Sequence, residues 1–81
     1  MAKPSPKHAG NEMLVALGKA IKLSRSETGI SQESLAVDAN LDRSYLGGVE
    51  RGEHNLTILN LEKIASALDL SPSELLAKAK H

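Results

Sequence analysis

Apolar residues recur at three- and four-residue intervals along most of this 81-residue chain, the spacing that stacks side chains on one face of an α-helix. From Asn11 onward, Leu14, Leu17, Ile21 and Ser24/Arg25 keep that period. Gly29 then supplies a stop, because glycine enters the left-handed conformation that ends helices at little cost. Ser31 is placed to cap a second helix, Gln32 to Ala39, with Leu35, Ala36 and Ala39 as its inner face. Asn40 breaks the pattern. Asp42 is placed to cap a third helix reaching about Arg51, with Leu46 and Val49 inward and Gly52 as its stop. Thr57 opens a fourth, which carries Leu61, Ile64, Ala65 and Leu68. Ser71-Pro72-Ser73-Glu74 reads as a capping box with proline at the first helical position, leading into a short fifth helix with Leu75 and Leu76. No strand alternation, β-branched cluster or internal repeat competes. The predicted fold class is all-α, a compact five-helix domain over residues 11–79, with a flexible arm at 1–10 and a C-terminal tail at 80–81; Lys78 to His81 are expected to fray.

Composition narrows the function classes. The chain has no cysteine, so disulfide frameworks, thiolate metal sites and cysteine nucleophiles are excluded. Tyr45 is the only aromatic residue, which argues against modules that read single strands by stacking bases. The three histidines, His8, His54 and His81, lack metal-ligand spacing, and no Ser/His/Asp arrangement or strand-linked glycine loop is present. The expectation is a protein that binds rather than catalyses, with no cofactor, no metal and no evident small-molecule ligand. No apolar run approaches the roughly 20 residues of a membrane helix, and no signal-type segment opens the chain, so a cytoplasmic protein without a membrane partner is expected.

Charge complicates any nucleic-acid reading. Lys plus Arg and Asp plus Glu both number 10, so the net charge is zero. Residues 1–30 carry five basic against two acidic groups, whereas residues 31–55 carry two against five. A basic stripe is the usual footprint of a DNA binder, and residues 31–55 run the other way.

The stretch Gln32 to Arg51 is the most informative. With Gln32 as position one, Ala36 is fifth, Asn40 ninth, Leu41 tenth, Leu46 fifteenth and Val49 eighteenth. Two short helices meeting steeply across a tight turn need a small fifth residue where they touch, and a ninth that tolerates positive φ. Asparagine enters that region more readily than other non-glycine residues. Together with Leu17-Gly18-Lys19-Ala20-Ile21, Gly29-Ile30-Ser31-Gln32-Glu33, Leu41-Asp42-Arg43-Ser44-Tyr45-Leu46, Val49-Glu50-Arg51-Gly52 and Asn55-Leu56-Thr57, this pattern resembles the lambda-repressor-like helix-turn-helix regulators. Within them it is most similar to the controller proteins of restriction–modification systems. The resemblance covers roughly residues 12 to 79.

The resemblance implies a sequence-specific regulator of double-stranded DNA, acting as a homodimer on a partly palindromic operator. A phage-type repressor or an antitoxin would share the fold, as would a helical protein-interaction module that has lost DNA binding. It makes the third helix the reader of the major groove. Arg43 near its start suits a bidentate contact to guanine, with Ser44 reaching a base edge; the other reading of Arg43 is a surface charge, or a pair with Asp42 or Asp38. Tyr45 has three options: its hydroxyl on a phosphate, its ring on a thymine methyl, or packing into the core. Gly47 and Gly48 lie away from Leu46 and Val49 at about 100° per residue, as an approaching duplex or a dimer contact would require. Gln32, Arg51, His54, Asn55 and Thr57 fit the family's phosphate-gripping positions, although Asn55 and Thr57 equally suit capping of the fourth helix. Arg25 and Glu50 match the family's buried salt bridge. Leu70, Leu75 and Leu76 are expected either at a dimer interface through helix five or in the monomer's own core. Lys3 and Lys7 in the arm offer a nonspecific phosphate contact or a solvated tail.

Overall fold

The computed structural model describes residues 10–81, so the expectation for Lys3, Lys7 and nearly all of the arm lies outside the described residues. Five helices follow in order: α1 (Glu12–Thr28), α2 (Gln32–Asp38), α3 (Arg43–Glu50), α4 (Ile58–Ala67) and α5 (Pro72–Lys78). No strand occurs among the described residues. None of these helices is long and apolar enough to cross a membrane.

Local chemistry sets the boundaries. Asn11, Ser31, Asp42, Thr57 and Ser71 each accept a backbone N–H of the first turn of α1 to α5 in sequence, and Ser71 and Glu74 complete the capping box. Each such cap contributes about 1 kcal/mol. The C-termini share a second device: Gly29, Asn40, Gly52, Asp69 and Lys80 all take positive φ just beyond α1 to α5. At each, two amides return to carbonyls of the last turn, as when Asn40 donates to Val37 and Leu41 to Ala36. Lys80 and His81 thus close α5, with His81 donating to the Leu76 carbonyl at 3.0 Å.

Asp69 and Lys80 hold this conformation without the freedom of glycine, and Asp69 also sets a negative charge at the C-terminal end of α4. Left-handed strain of about 1–2 kcal/mol and the unfavourable helix-dipole contact outweigh the roughly 0.5–1 kcal/mol that glycine loses in chain entropy. Asp69→Gly is therefore expected to stabilise the domain by about 1 kcal/mol, raising its melting temperature by roughly 4–8 °C in a calorimetric scan.

The core draws one fully buried aliphatic side chain from every helix: Ile21, Leu35, Leu46, Ile64 and Leu75. Full burial of each contributes about 1.5–3 kcal/mol. Around them α1 lies against α3 and α5, α2 against α3 and α4, and α4 against α5. Leu75 is therefore a core residue and is corrected from the candidate dimer face. Leu75 and Ala79, the C-cap of the seven-residue α5, are four apart and share the face that shuts the monomer core. Leu70 and Leu76 are half-buried and pack on the same core. Val37, Ile58 and Leu59 are the most exposed large apolar side chains.

Candidate nucleic-acid interface

The α2–α3 unit depends on its turn. Ala36 is buried where α2 meets the other helices, and Asn40 takes φ 56°. The chain then turns into α3 at Asp42, whose carboxylate accepts the Tyr45 amide at 3.2 Å and the Ser44 hydroxyl. The Ser44 hydroxyl, and after it the Tyr45 amide, hold the Asp42 carboxyl below the usual carboxylate range. Ser44 thus spends its hydroxyl proton on the cap and keeps only acceptor capacity for a base edge.

Arg43 is the first residue of α3, exposed, and makes no ion pair among the described residues. The alternative pairing with Asp42 or Asp38 does not form. Arg43 lies on the wall of an open cavity of about 170 Å³ that it shares with Gln32, Ser44, Gly47 and Arg51.

The flank of α3 is not bare. Gly47 and Gly48 are both buried, but under polar side chains rather than another helix. A Cβ on Gly47 would meet the tips of Arg51 at 3.2 Å and Gln32 at 3.5 Å, so Gly47 forms a floor that flexible groups cover. A Cβ on Gly48 would collide with the His54 imidazole. Both glycines face away from Leu46 and Val49, but the expected approach of a duplex or a second copy to Gly48 is corrected, because His54 of the same chain fills that space. The helical wheel held no information on the loop after Gly52, which turns back and lays His54 on the helix.

His54 is corrected accordingly: it is only 8% exposed and stacks on Tyr45, ring centroids 4.9 Å apart and planes 28° apart, instead of projecting towards a phosphate. Tyr45 is half-buried, and its hydroxyl accepts the Asn60 side-chain amide at 3.1 Å. Asn60 was not among the expected site residues; it lies fifteen positions from its partner and no local signal marks it. Asn55 is exposed, and Thr57 caps α4 through the Asn60 amide.

Behind the cavity lies the Arg25–Glu50 pair. Arg25 Nε and Nη2 donate to Glu50 at 2.8 and 3.1 Å, and Arg25 Nη1 donates to the Ile30 carbonyl at 3.2 Å. Gln32 adds its amide to the same Glu50 carboxylate at 3.1 Å, which commits one of the two protons that a phosphate would use. The side chains are 15% and 3% exposed. The Glu50 hydrogen bonds, foremost, raise the Arg25 pKa above its ordinary value. A second pair, bidentate but on the surface, joins Arg51 to Glu53 at 3.0 and 3.2 Å. It raises the Arg51 pKa and lowers that of Glu53, in both cases mainly through the shared hydrogen bonds. An exposed pair of this kind contributes little to stability and costs little to break. Two of the five acids in residues 31–55 therefore face a guanidinium, which reduces the repulsion their count suggests.

Gly18 faces α3 so closely that a Cβ would lie 2.5 Å from both the Val49 and Glu50 carbonyl oxygens. Its signal was a glycine inside a helix, where it costs up to about 1 kcal/mol relative to alanine and calls for a packing reason.

Comparison with known proteins agrees with this geometry. The family model described as Helix-turn-helix matches residues 21–75. The control protein C.MunI of Mycoplasma sp is 41% identical over 66 residues, covering 80% of this chain and 89% of that protein. The control protein C.BamHI of Bacillus amyloliquefaciens is 37% identical over 67 residues, covering 82% and 83%. Among solved structures, the restriction-modification controller protein C.AhdI from Aeromonas hydrophila superposes with a TM-score of 0.75 at 50% identity, over 76% of this chain and 94% of that one. The chain belongs to the lambda-repressor-like helix-turn-helix family of transcriptional regulators.

Proposed function

We propose that the protein recognises an operator in double-stranded DNA as a homodimer in the cytoplasm and regulates transcription as the controller proteins it resembles do. The observation that carries this reading is Arg43: an exposed guanidinium, without an ion pair, at the first position of α3 and beside a glycine-floored cavity. A guanidinium there reaches guanine O6 and N7 in the major groove and discriminates against other bases by about 1–3 kcal/mol. Arg51 exchanges Glu53 for a backbone phosphate, and Gln32 and Asn55 grip the backbone on either side. Leu70 and Leu76 keep partial exposure for a second copy, which would set two α3 helices about 34 Å apart on a partly palindromic site.

Titration with duplexes selected from a random library tests the reading. Wild-type affinity is expected to fall with salt at a slope of about −0.9 per phosphate contacted. Arg43→Ala is expected to lose about 1–3 kcal/mol on the selected duplex and little on a shuffled one. Arg51→Ala is expected to weaken both alike and to make the salt slope shallower by about 0.9. Equal losses on both duplexes for Arg43→Ala would remove Arg43 as a reader. Sedimentation across the concentrations that saturate the operator tests the dimer, and a monomer there would overturn it.

A further inference from the structure

Tyr45, half-buried against the core, is held differently from the exposed arginines at the two ends of α3. Arg43 and Arg51 end in flexible side chains at the surface, whereas the Tyr45 ring is gripped at both ends. Its face lies on the His54 imidazole, and its hydroxyl is fixed by Asn60 on α4. His54 itself has one seat, the space over Gly48 that a Cβ would fill. His54 and Tyr45 meet as stacked rings, so His54 contributes a flat surface to this contact. A flat surface stacked on Tyr45, with planes 28° apart, restricts the rotation of its ring more than an aliphatic side chain of similar size does.

We propose that His54 is a positioning residue: seated on Gly48, it fixes the Tyr45 ring in one orientation and thereby sets base preference at the step Tyr45 faces. The inference rests on α3 being the DNA-reading helix and on the exposed part of the half-buried Tyr45 reaching a base edge. A ring that is already fixed meets the right base in contact and the wrong one in a clash, whereas a loose ring adapts to both. Binding also avoids the cost of ordering the side chain when DNA arrives.

The test compares wild-type, His54→Ala and His54→Phe on the duplex that wild-type selects from a random library and on a shuffled duplex of equal composition. Near-UV circular dichroism reports on Tyr45 alone, because the chain has no Trp and no Phe; the His54→Phe spectrum is read above 275 nm, where phenylalanine is silent. His54→Ala is expected to lower the ratio of shuffled to selected Kd about tenfold, the size of one good base contact. The tyrosine signal should shrink, while the shuffled Kd and the salt slope stay as in wild-type. His54→Phe restores a stacking face and is expected to recover both the ratio and the signal. Should His54→Ala fail to fold, Asn60→Ala frees the other end of the ring and is expected to lower the same ratio about threefold.

An unchanged ratio with a diminished tyrosine signal would overturn the inference and leave the DNA reading intact. Equal weakening on both duplexes with a shallower salt slope would make His54 a phosphate contact instead. A His54→Phe protein that regains the signal but not the ratio would show that the imidazole itself touches DNA. Wild-type that selects no duplex at all would overturn the inference and the DNA reading together.

Discussion

Replacing Glu50 by alanine is expected to reduce the stability of the domain by about 3 kcal/mol, the lower end of the range for breaking a buried ion pair. Three donors lose their acceptor at once: Arg25 Nε and Nη2 and the Gln32 amide. The Arg25 side chain is 15% exposed, so water reaches it in the variant and limits the loss. Domains of this size have roughly 4–12 kcal/mol in total. The loss is therefore a large part of the whole, corresponding to a melting temperature lower by roughly 12–24 °C. Urea melts of Arg25→Met, Glu50→Ala and the double variant isolate the coupling, and the double variant is expected to be more stable than Glu50→Ala because no charge is left without a partner. A Glu50→Ala melt that overlays wild-type would show that the pair contributes nothing to the fold.

The position of this pair explains why the charge count of the chain misled. Glu50 belongs to the acidic stretch 31–55, but its partner Arg25 lies in the basic stretch before it. A count by segment cannot see a charge neutralised from 25 positions away. The pairing became legible only through the family pattern.

Features decided within one turn of chain were legible directly. Ser31, Asp42, Thr57 and Ser71 cap the helices they were expected to cap, since an N-cap needs only its own oxygen and an amide two or three residues on. Asn40 takes positive φ because the backbone must reverse there and asparagine tolerates it. What depends on two elements meeting was not legible. The periodicity of α5 marks Leu75 and Leu76 as apolar but does not say which one the core receives. The wheel of α3 aims Gly48 outward but does not contain the loop that brings His54 back. Asn60 meets Tyr45 only because α4 packs where it does. The candidate site is built almost wholly from such meetings, so its residue types were readable and its arrangement was not.

Gly18→Ala is the other substitution expected to have a large effect, and intrinsic propensity predicts the opposite sign. In an isolated helix, alanine at this interior position of α1 would be favoured by about 1 kcal/mol. In the domain, the new methyl carbon would lie 2.5 Å from the Val49 and Glu50 oxygens, well inside the roughly 3.5 Å of an unstrained contact. Both oxygens belong to the backbone of the last turn of α3, which cannot rotate aside as a side chain does. The helices must separate instead, which disturbs the packing of Leu17 and Val49 and the reach between Arg25 and Glu50. Overpacking of this kind costs about 1–3 kcal/mol or more; against rigid backbone the upper end applies, so the net expected loss is about 2 kcal/mol, or roughly 8–16 °C in melting temperature. Gly47→Ala provides the contrast, because its Cβ would meet only the movable ends of Arg51 and Gln32. That variant is expected to keep or slightly gain stability while losing DNA affinity, since the methyl group fills the floor of the cavity beside Arg43. If Gly18→Ala instead melts at or above wild-type, as Gly47→Ala is expected to, then the propensity of each helix, rather than the approach of α1 to α3, governs how firmly the reading helix is held.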